Sequence, residues 1–345
     1  MTEIPNPPDF THLLVVPHVR VQNANAVSSP LTHGFPSITA FLGQMGALER
    51  NVRSQGIDWA FKAVGVVCHD YAEQVVEPAY PGAPTTFCLT RNPVDKDGGT
   101  AAIVEEGRIH LDITLIYAVS SDALLHANEA TLQTEADAMG ERIACMRLAG
   151  GSILHRPWTR QHRPRLLPWS DQVDTASQFR KLLLRLLPGH VLVGRDDLLA
   201  QRLAHLRTTR PHATALDALL SLSRVNWHSE LTAPAEQEAD TAPASEASRR
   251  TPRHWQNDRT GQGWIVPIPV GYGRLGDLLP AGSVARARDA STPFRFVESL
   301  YSIGEWRGAH RLRTVEELLW WADGDPDAGY YRCRSGYGVS AMRGK

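Results

Sequence analysis

The sequence predicts an α+β fold, because its first half alternates between segments with strand periodicity and segments with amphipathic helix periodicity. The segments whose valine content or alternation predicts strands are residues 12–22, 61–68 and 108–119, and a further strand is expected to begin at residues 85–90. One helix is predicted from an N-cap at Ser37 to about residue 52, and a second over about residues 127–149, with Gly150 as its C-terminal cap. This order fits a ferredoxin-like, RNA-recognition-type palm that lacks one final strand.

The strand predicted over residues 108–119 has the clearest two-faced pattern. Polar residues alternate there with apolar ones, and the two sets are Arg108, His110, Asp112 and Thr114, and Ile109, Leu111, Ile113 and Leu115. Successive side chains of a strand point to opposite faces, so one core face and one polar face are expected. The segment 264–270 (WIVPIPV) is the candidate for the missing strand or for an edge strand, since its prolines exclude a central position.

The remaining sequence divides the chain into four predicted segments. A palm covers residues 10–155, and an Arg-rich helical region, inserted after it, covers residues 156–228. Residues 229–258 form an acidic low-complexity linker, which is expected to be disordered because residues 229–248 carry five acids, no base and almost nothing to bury. Residues 259–345 are expected to complete the palm or to pack on it.

Basic residues are clustered although the formal net charge of the 345 residues is only -1. Residues 142–210 contain 12 Arg and one Lys against four Asp, and the whole chain has only four lysines. The guanidinium group is a planar fork of donors that suits phosphate groups and stacks on bases. A GC-rich genome would also raise the Arg content, but it does not explain the clustering.

Several classes of protein are excluded by what the sequence lacks. No apolar run approaches the roughly 20 residues of a membrane span and no secretory signal is recognisable, so a cytoplasmic location without membrane contact is expected. The four cysteines form no CxxC pair and the 14 histidines are scattered, which predicts no metal site. A literal GxGxxG at residues 271–276 lacks the strand–helix–strand context of dinucleotide binding, and no Walker loop or GxSxG is present. We therefore expect no cofactor and no catalytic residue.

Two features remain open on residue chemistry alone. The polar faces that carry His18, Arg20 and Gln22, and Arg108 and His110, suit either the RNA side of a sheet or an ordinary solvated surface. The segment 146–154 (MRLAGGSIL) suits either a plain glycine helix cap or a loop whose backbone N–H groups accept phosphate.

Longer segments resemble one known family. They are residues 19–35 (VRVQNANAVSSPLTHGF), 89–111 (LTRNPVDKDGGTAAIVEEGRIHL), 146–154, 264–272 (WIVPIPVGY) and 287–306 (ARDASTPFRFVESLYSIGEW). They are similar to the type I-F (Csy-type) CRISPR surveillance subunit, a Cas5-like protein that binds the five-prime handle of the guide RNA. The resemblance implies a non-catalytic subunit that pairs with the large subunit, lies next to a backbone subunit, and meets target DNA through the complex.

The resemblance also implies where RNA would be contacted. Single-stranded RNA is read at its bases and 2′-hydroxyls, for which Asn, Ser and Arg side chains are suitable. The candidate RNA-binding residues are Asn23, Asn25, Ser28, Arg91, Asn92, Arg108, Arg147, Gly150, Gly151, Ser152, Arg286, Arg288 and Arg295.

Two other functions compete with this interpretation. An RNA-processing endonuclease of the same broad fold would use His18 or His110 as its base. A stand-alone regulator that binds duplex DNA lacks a helix-turn-helix signature and ranks last.

Overall fold

A large antiparallel sheet organises the chain. The computed structural model describes residues 6–78, 80–88, 94, 97–100, 107–155, 157–170, 173–231, 253–287 and 289–343. Within these ranges the protein is a mixed α+β structure with six α-helices and one antiparallel sheet of 11 strands. The α+β prediction is therefore confirmed.

The first half of the chain builds a layer of strands covered by two helices. Its elements are β1 (His12–Asn25), β2 (Val27–Ser29), β3 (Thr32–His33), α1 (Ile38–Ser54), β4 (Ala60–Glu73), β5 (Val75–Val76), β6 (Thr86–Phe87), β7 (Arg108–Ser120), α2 (Glu129–Ala144), β8 (Arg147–Leu148), β9 (Gly151–Ile153) and β10 (Arg165–Pro168). β7 lies between β4 and β1, and both β9 and β10 pair with the other edge of β1. Phe41 and Leu48 of α1 and Met139 and Ile143 of α2 share one core with Ile113 of β7. Both helices therefore cover the same face of the sheet.

Local capping explains where these helices begin. The side chain of Ser37 accepts a hydrogen bond from the backbone N–H of Thr39, and α1 follows the predicted range closely. The side chain of Asn128 accepts from Thr131 in the same way at the start of α2.

The predicted end of α2 is wrong. The helix stops at Ala144, and Gly150 is not its cap. Leu148 pairs instead with Gly151, so that Ala149 (φ 48°) and Gly150 (φ 78°) form a two-residue hairpin turn. Two positive φ angles in succession are typical of the type I′ turn, whose twist matches that of paired strands.

The second half of the chain continues the same sheet. Its elements are α3 (Thr175–Arg185), β11 (His190–Gly194), α4 (Asp196–Thr209), α5 (Ala215–Ser223), β12 (Trp227–Leu231), β13 (Arg253–Asn257), β14 (Trp264–Arg274), β15 (Val297–Gly308), β16 (Leu319–Asp325), β17 (Tyr330–Ser335) and α6 (Gly336–Arg343). β11 pairs with both β4 and β15, so β4, β11, β15, β14, β17 and β16 form a closed circuit of paired strands. The indole of Trp320 is buried, and its Nε1 donates to the carbonyl of Leu192 at 2.8 Å.

The expectation for the proline-containing segment is also wrong, because β14 lies between β15 and β17 rather than at an edge. β17 reaches β14 only from Gly271 to Gly273, beyond Pro267 and Pro269. The carbonyl of Pro269 accepts from the Ser37 hydroxyl, and β17 does not pair with β14 at either proline, so no ladder bond to β17 is lost there.

Two other segments contain strands that the sequence did not predict. β11 lies within the region predicted to be helical, and it is a short apolar run that periodicity alone cannot assign. Each end of the predicted linker contains a strand. β12 and β13 pair antiparallel, from Trp227 with Asn257 to Leu231 with Arg253. Residues 232–252 of the linker lie outside the described residues. Among the described helices, none is both long and apolar enough to cross a membrane.

Candidate nucleic-acid interface

A band of polar side chains crosses β1, β7 and β4 on the sheet face opposite α1 and α2. Its members, called the polar strip below, are His18, Arg20, Gln22, His69, His110, Asp112 and Thr114. Arg20 and Asp112 are cross-strand neighbours, with 3.6 Å between Arg20 Nε and Asp112 Oδ2. A cavity of about 300 Å³ lies along the strip between Arg20 and His110. The structure thus joins two polar faces that the sequence predicted separately.

Two β-bulges in β1 shape the polar strip. The register of β1 on β7 shifts after Val16 and again after Val21, and the residues in these bulges include His18 (φ 51°) and Asn23 (φ 57°). His and Asn are among the non-glycine residues that most often adopt this left-handed conformation. A bulge re-aims a side chain, and here Nδ1 of His18 donates to Oδ1 of Asp112 at 2.9 Å.

The second bulge builds a hydrogen-bond network around His110. The backbone N–H of Asn23 donates to His110 Nδ1 at 3.2 Å, so the neutral ring carries its proton on Nε2. The side-chain amide of Gln74 lies 3.1 Å from that Nε2 and 2.6 Å from the side-chain oxygen of Asn23. Nδ1, the one nitrogen of the neutral His110 ring that could take up a proton, is therefore engaged, and this histidine is poorly placed to act as a base.

Three histidine rings stack at the other end of the strip. His18 lies between His69 and His162, and the ring centroids are 4.3 Å apart in each pair. Burial lowers the pKa of His69 and of His162, and the neighbouring His18 lowers both further. His69 Nε2 also lies within hydrogen-bond distance of the Thr114 hydroxyl, at 2.7 Å. His69 and His162 therefore offer neutral rings near pH 7.

Asn25 and Arg108 face each other where β1 ends and β7 begins. The backbone N–H of Asn25 donates to the carbonyl of Ala149 at 2.8 Å, which ties this end of β1 to the β8–β9 hairpin. The Asn25 side chain bonds locally to both backbone groups of Val27. The Ser28 hydroxyl lies 2.8 Å from that of Thr32. Asn25 and Ser28 therefore shape the turn after β1 as well as facing outward.

The β8–β9 hairpin contains the remaining candidates of that region. Arg147 and Ser152 are register partners, and both are exposed. Gly150 lies at the turn, where a Cβ would meet no atom within 4 Å. Gly151 is buried, and a Cβ there would lie 2.7 Å from a backbone nitrogen and a backbone oxygen of β1. The first glycine thus serves the turn, and the second allows two backbones to approach closely.

The C-terminal candidates lie elsewhere. Arg286 and Arg295 belong to the connection between β14 and β15, and Arg295 Nη1 donates to the carbonyl of Pro326 at 2.9 Å. The three candidates Arg91, Asn92 and Arg288 lie outside the described residues.

The chemistry available at the strip is limited. Among the described residues, no group of three or more His, Cys, Asp or Glu side chains is arranged to hold a metal ion. Burial, Asp70 and Asp112 raise the pKa of Cys68 to about 12, so this thiol is not a nucleophile at neutral pH. The one arrangement with catalytic geometry is His18, whose imidazole is oriented by Asp112 as a general base would be.

Sequence reasoning missed several residues of this surface. His69 lies in β4 just beyond residue 68, where the predicted strand stopped, and Gln74 follows the end of β4. His162 and Arg165 precede or begin β10, which was not predicted. Their only signal was the excess of basic residues between residues 142 and 210.

Comparison with known proteins gives one consistent result. The chain matches the family model described as CRISPR-associated protein (Cas_Csy2) over residues 14–333. It is 46% identical over 327 residues to the CRISPR-associated protein Csy2 of Pseudomonas aeruginosa (strain UCBPP-PA14). That alignment covers 93% of this chain and 94% of the relative.

Proposed function

The chain belongs to the Csy2 family of the type I-F CRISPR system, and on this basis we propose that it is a non-catalytic subunit that binds the five-prime handle of the guide RNA. The proposal includes pairing with the large subunit of the surveillance complex and a place next to a backbone subunit. It also includes contact with target DNA through the complex, and a cytoplasmic location. The observation that carries the RNA-binding proposal is the polar strip on the face that α1 and α2 leave uncovered.

The strand order supports an RNA-recognition-type palm. Beside β1 lie β7 and then β4 on one edge, and β9 and β10 on the other, with both helices on one face. A ferredoxin-like palm has this arrangement, in which the fourth strand lies beside the first. On the opposite face, Leu13, Ile116 and Ala118 are buried in a second core with α3, so the part that carries the polar strip is the part available to a ligand.

The side chains of the strip favour hydrogen bonding to bases and ribose over simple charge attraction. Arg20 is balanced by Asp112, while Gln22 and Asn23 are exposed amides that can both donate and accept. Unpaired RNA presents base edges and 2′-hydroxyls, which such groups can read. An unpaired RNA end therefore fits this surface better than the uniform backbone of a duplex.

Recovery of RNA from the assembled complex tests the proposal. The tagged chain is co-expressed with the other subunits and a repeat array, and the RNA that co-purifies is extracted and sequenced. We expect guide RNA with an intact handle together with the large subunit. Purification of the complex without guide RNA, or failure to recover the large subunit, would overturn the proposal.

A paired substitution locates the contact. Gln22→Ala with Asn23→Gly removes two exposed amides while retaining a residue that tolerates positive φ. Two lost hydrogen bonds at about 1 kcal/mol each predict a roughly 30-fold weaker affinity for handle RNA. Gln201→Ala, an exposed amide on α4, is the matched control and should leave the affinity unchanged. Equal affinities of both variants would place the handle away from the strip.

A second candidate function rests on the His18–Asp112 pair. An RNA-processing endonuclease would use the carboxylate-oriented imidazole of His18 as its base, in preference to His110, whose Nδ1 already accepts from the backbone N–H of Asn23. Incubation of the purified protein with repeat RNA distinguishes the two functions. Cleavage that His18→Gln abolishes would establish the endonuclease, and intact RNA with the wild-type protein would exclude it. His110→Ala serves as the comparison variant.

A further inference from the structure

A groove between the β1–β10 edge of the sheet and α3 is lined by basic side chains. It has a volume of about 510 Å³. Its charged and imidazole side chains are His18, His162, Arg163, Arg165, Lys181 and Arg185, and we call this surface the basic groove. No Asp or Glu lines it within the part of the chain that the structure describes.

Local sequence explains how α3 presents its cations to the groove. Phe179, Leu182 and Leu183 are buried on the side of the helix that faces the core. Lys181 and Arg185 are four residues apart and exposed, so they lie one turn from each other on the same side. Like charges at this spacing destabilise a helix slightly, and nothing in its core packing requires them.

Most of the positive charge in the groove is not neutralised. Arg163 is an exception, since its Nε donates to Asp137 at 2.9 Å and its Nη2 is bonded to the same carboxylate. Arg165, Lys181 and Arg185 make no ion pair with any acid among the described residues. This contrasts with Arg195 of the same chain, which is bonded to two carboxylates.

The crowding of these cations affects the pKa of Arg165. Burial lowers the pKa of the half-buried Arg165, and the positive charges of Arg185 and Arg160 lower it further. Such repulsion costs folding free energy, and an anion bound in the groove would offset it. An uncompensated cluster in a concave site is therefore a candidate for anion binding.

The shape of the groove indicates the class of anion. His18 belongs both to the basic groove and to the polar strip, and Thr114 lines the groove beneath it, so the two surfaces are continuous. The groove also has apolar walls formed by Leu167 and Leu182, along which a sugar could lie. A site for one isolated phosphate would be closed around a single point, whereas the cations of this groove are spread over β10 and α3.

We propose that the basic groove binds the sugar–phosphate backbone of a nucleic-acid strand that continues along the polar strip. The guanidinium groups of Arg165 and Arg185 grip phosphates, since arginine can offer two parallel donors to one phosphate. This inference rests on the proposed RNA-binding function for the strip. The strand is either guide RNA or target DNA, which share the phosphodiester chemistry, and the experiment separates them.

Charge removal on the exposed side of α3 tests the groove without disturbing the core. The test variant is Lys181→Gln with Arg185→Gln. The control is Arg180→Gln with Arg224→Gln, which removes the same charge from exposed residues that do not line the groove. Urea denaturation verifies that both variants fold like the wild-type protein.

The salt dependence of nucleic-acid binding is measured, because a purely structural role of Lys181 and Arg185 would leave it unchanged. The assembled wild-type and variant complexes are titrated with fluorescent target DNA, and the chain co-purified with its large subunit is titrated with guide RNA. Each lost phosphate contact lowers the slope of log K against log salt by roughly 0.7, so loss of both cations lowers it by about 1.4, and the affinity loss between 50 and 200 mM salt becomes about sevenfold smaller. The control variant should keep the wild-type slope.

Each outcome decides a separate point. A shallower slope for RNA alone identifies guide RNA as the occupant, and a shallower slope for DNA alone identifies the target strand. Unchanged slopes for both ligands overturn the groove proposal, and RNA binding by the wild-type protein would then leave the proposed function intact. A wild-type protein that binds no RNA would instead defeat the proposed function, while the DNA titration would still report on the groove.

Discussion

Gly151 separates two explanations for the glycine pair in the β8–β9 hairpin. The sequence allowed a loop that lets phosphate approach the backbone, as an alternative to a plain helix cap, whereas in the structure Gly151 lets the hairpin approach β1. A methyl group on Gly151 would lie 2.7 Å from backbone atoms of Ala24 and Gln22, and 2.8 Å from Cγ1 of Val21. None of these atoms is the end of a flexible side chain, so the hairpin itself must move.

The cost of Gly151→Ala can be worked out from the contacts that would shift. Overpacking of a tight site costs about 1–3 kcal/mol. Displacement also weakens the pairing of Gln22 with Ser152, and the bond from Asn25 to the Ala149 carbonyl, at about 1 kcal/mol for each hydrogen bond lost. We expect Gly151→Ala to lower the free energy of unfolding by roughly 3–5 kcal/mol if both contacts are lost. Urea denaturation followed by tryptophan fluorescence measures this change.

Gly150→Asn is the matched control, because Gly150 has open space around it and Asn accepts a positive φ. It should cost less than about 1 kcal/mol. The packing explanation is refuted if Gly151→Ala unfolds at the wild-type urea concentration. Wild-type stability combined with lost RNA binding would instead restore the phosphate-loop explanation.

The other predictions concern buried charge and pH. Arg195→Met leaves the buried Asp197 without its partner and removes one of the cations on Glu305, so we expect a loss of about 3–5 kcal/mol in urea denaturation at pH 7. A loss below about 1 kcal/mol, as for an exposed ion pair, would contradict the buried ion-pair account. The lowered pKa of His69 and of His162 means that the unfolded chain binds protons near pH 6.5 before the folded chain does. Stability should therefore fall as the pH drops from about 7.5 to 5.5, and less steeply in the His69→Gln, His162→Gln double variant; equal slopes would show that these rings do not control the effect.

The parts of the fold that the sequence predicted are those set by local chemistry. α1 begins at Ser37 because that side chain caps it, and its core residues follow one helical face. β7 was predicted from strict alternation, and Ile109 and Ile113 are indeed buried while His110 is not. In both cases the neighbours that matter lie within a few residues of each other along the chain.

The wrong predictions depended on partners far away in the sequence. Residues after Ala144 have acceptable helix propensity, and only pairing of β9 with β1, more than 100 residues earlier, turns them into a hairpin. Likewise Pro269 is tolerated inside the sheet because β17 stops short of it. Neither β1 pairing nor the length of β17 can be deduced from a local window of sequence.

The candidate site also contains a part that local sequence predicted and a part that it could not predict. Alternation identified His18, Arg20 and His110 as members of polar faces, but it could not show that β1 and β7 are adjacent. The basic groove could not be predicted from the sequence, since Arg165 and Lys181 lie on different elements that only the fold brings together.

The charge distribution of the two surfaces suggests how they would divide the work of binding. On the polar strip and its cavity, Arg20 is offset by Asp70 and Asp112, so little net charge faces the ligand. In the basic groove, Arg165, Lys181 and Arg185 face the ligand without an acid. Phosphates carry the charge of a nucleic acid and bases carry its sequence. Salt sensitivity should therefore arise in the groove, and discrimination between handle sequences should arise on the strip. Substitutions in the groove would weaken binding equally for all sequences, whereas Gln22→Ala would weaken it unequally and leave the salt slope unchanged.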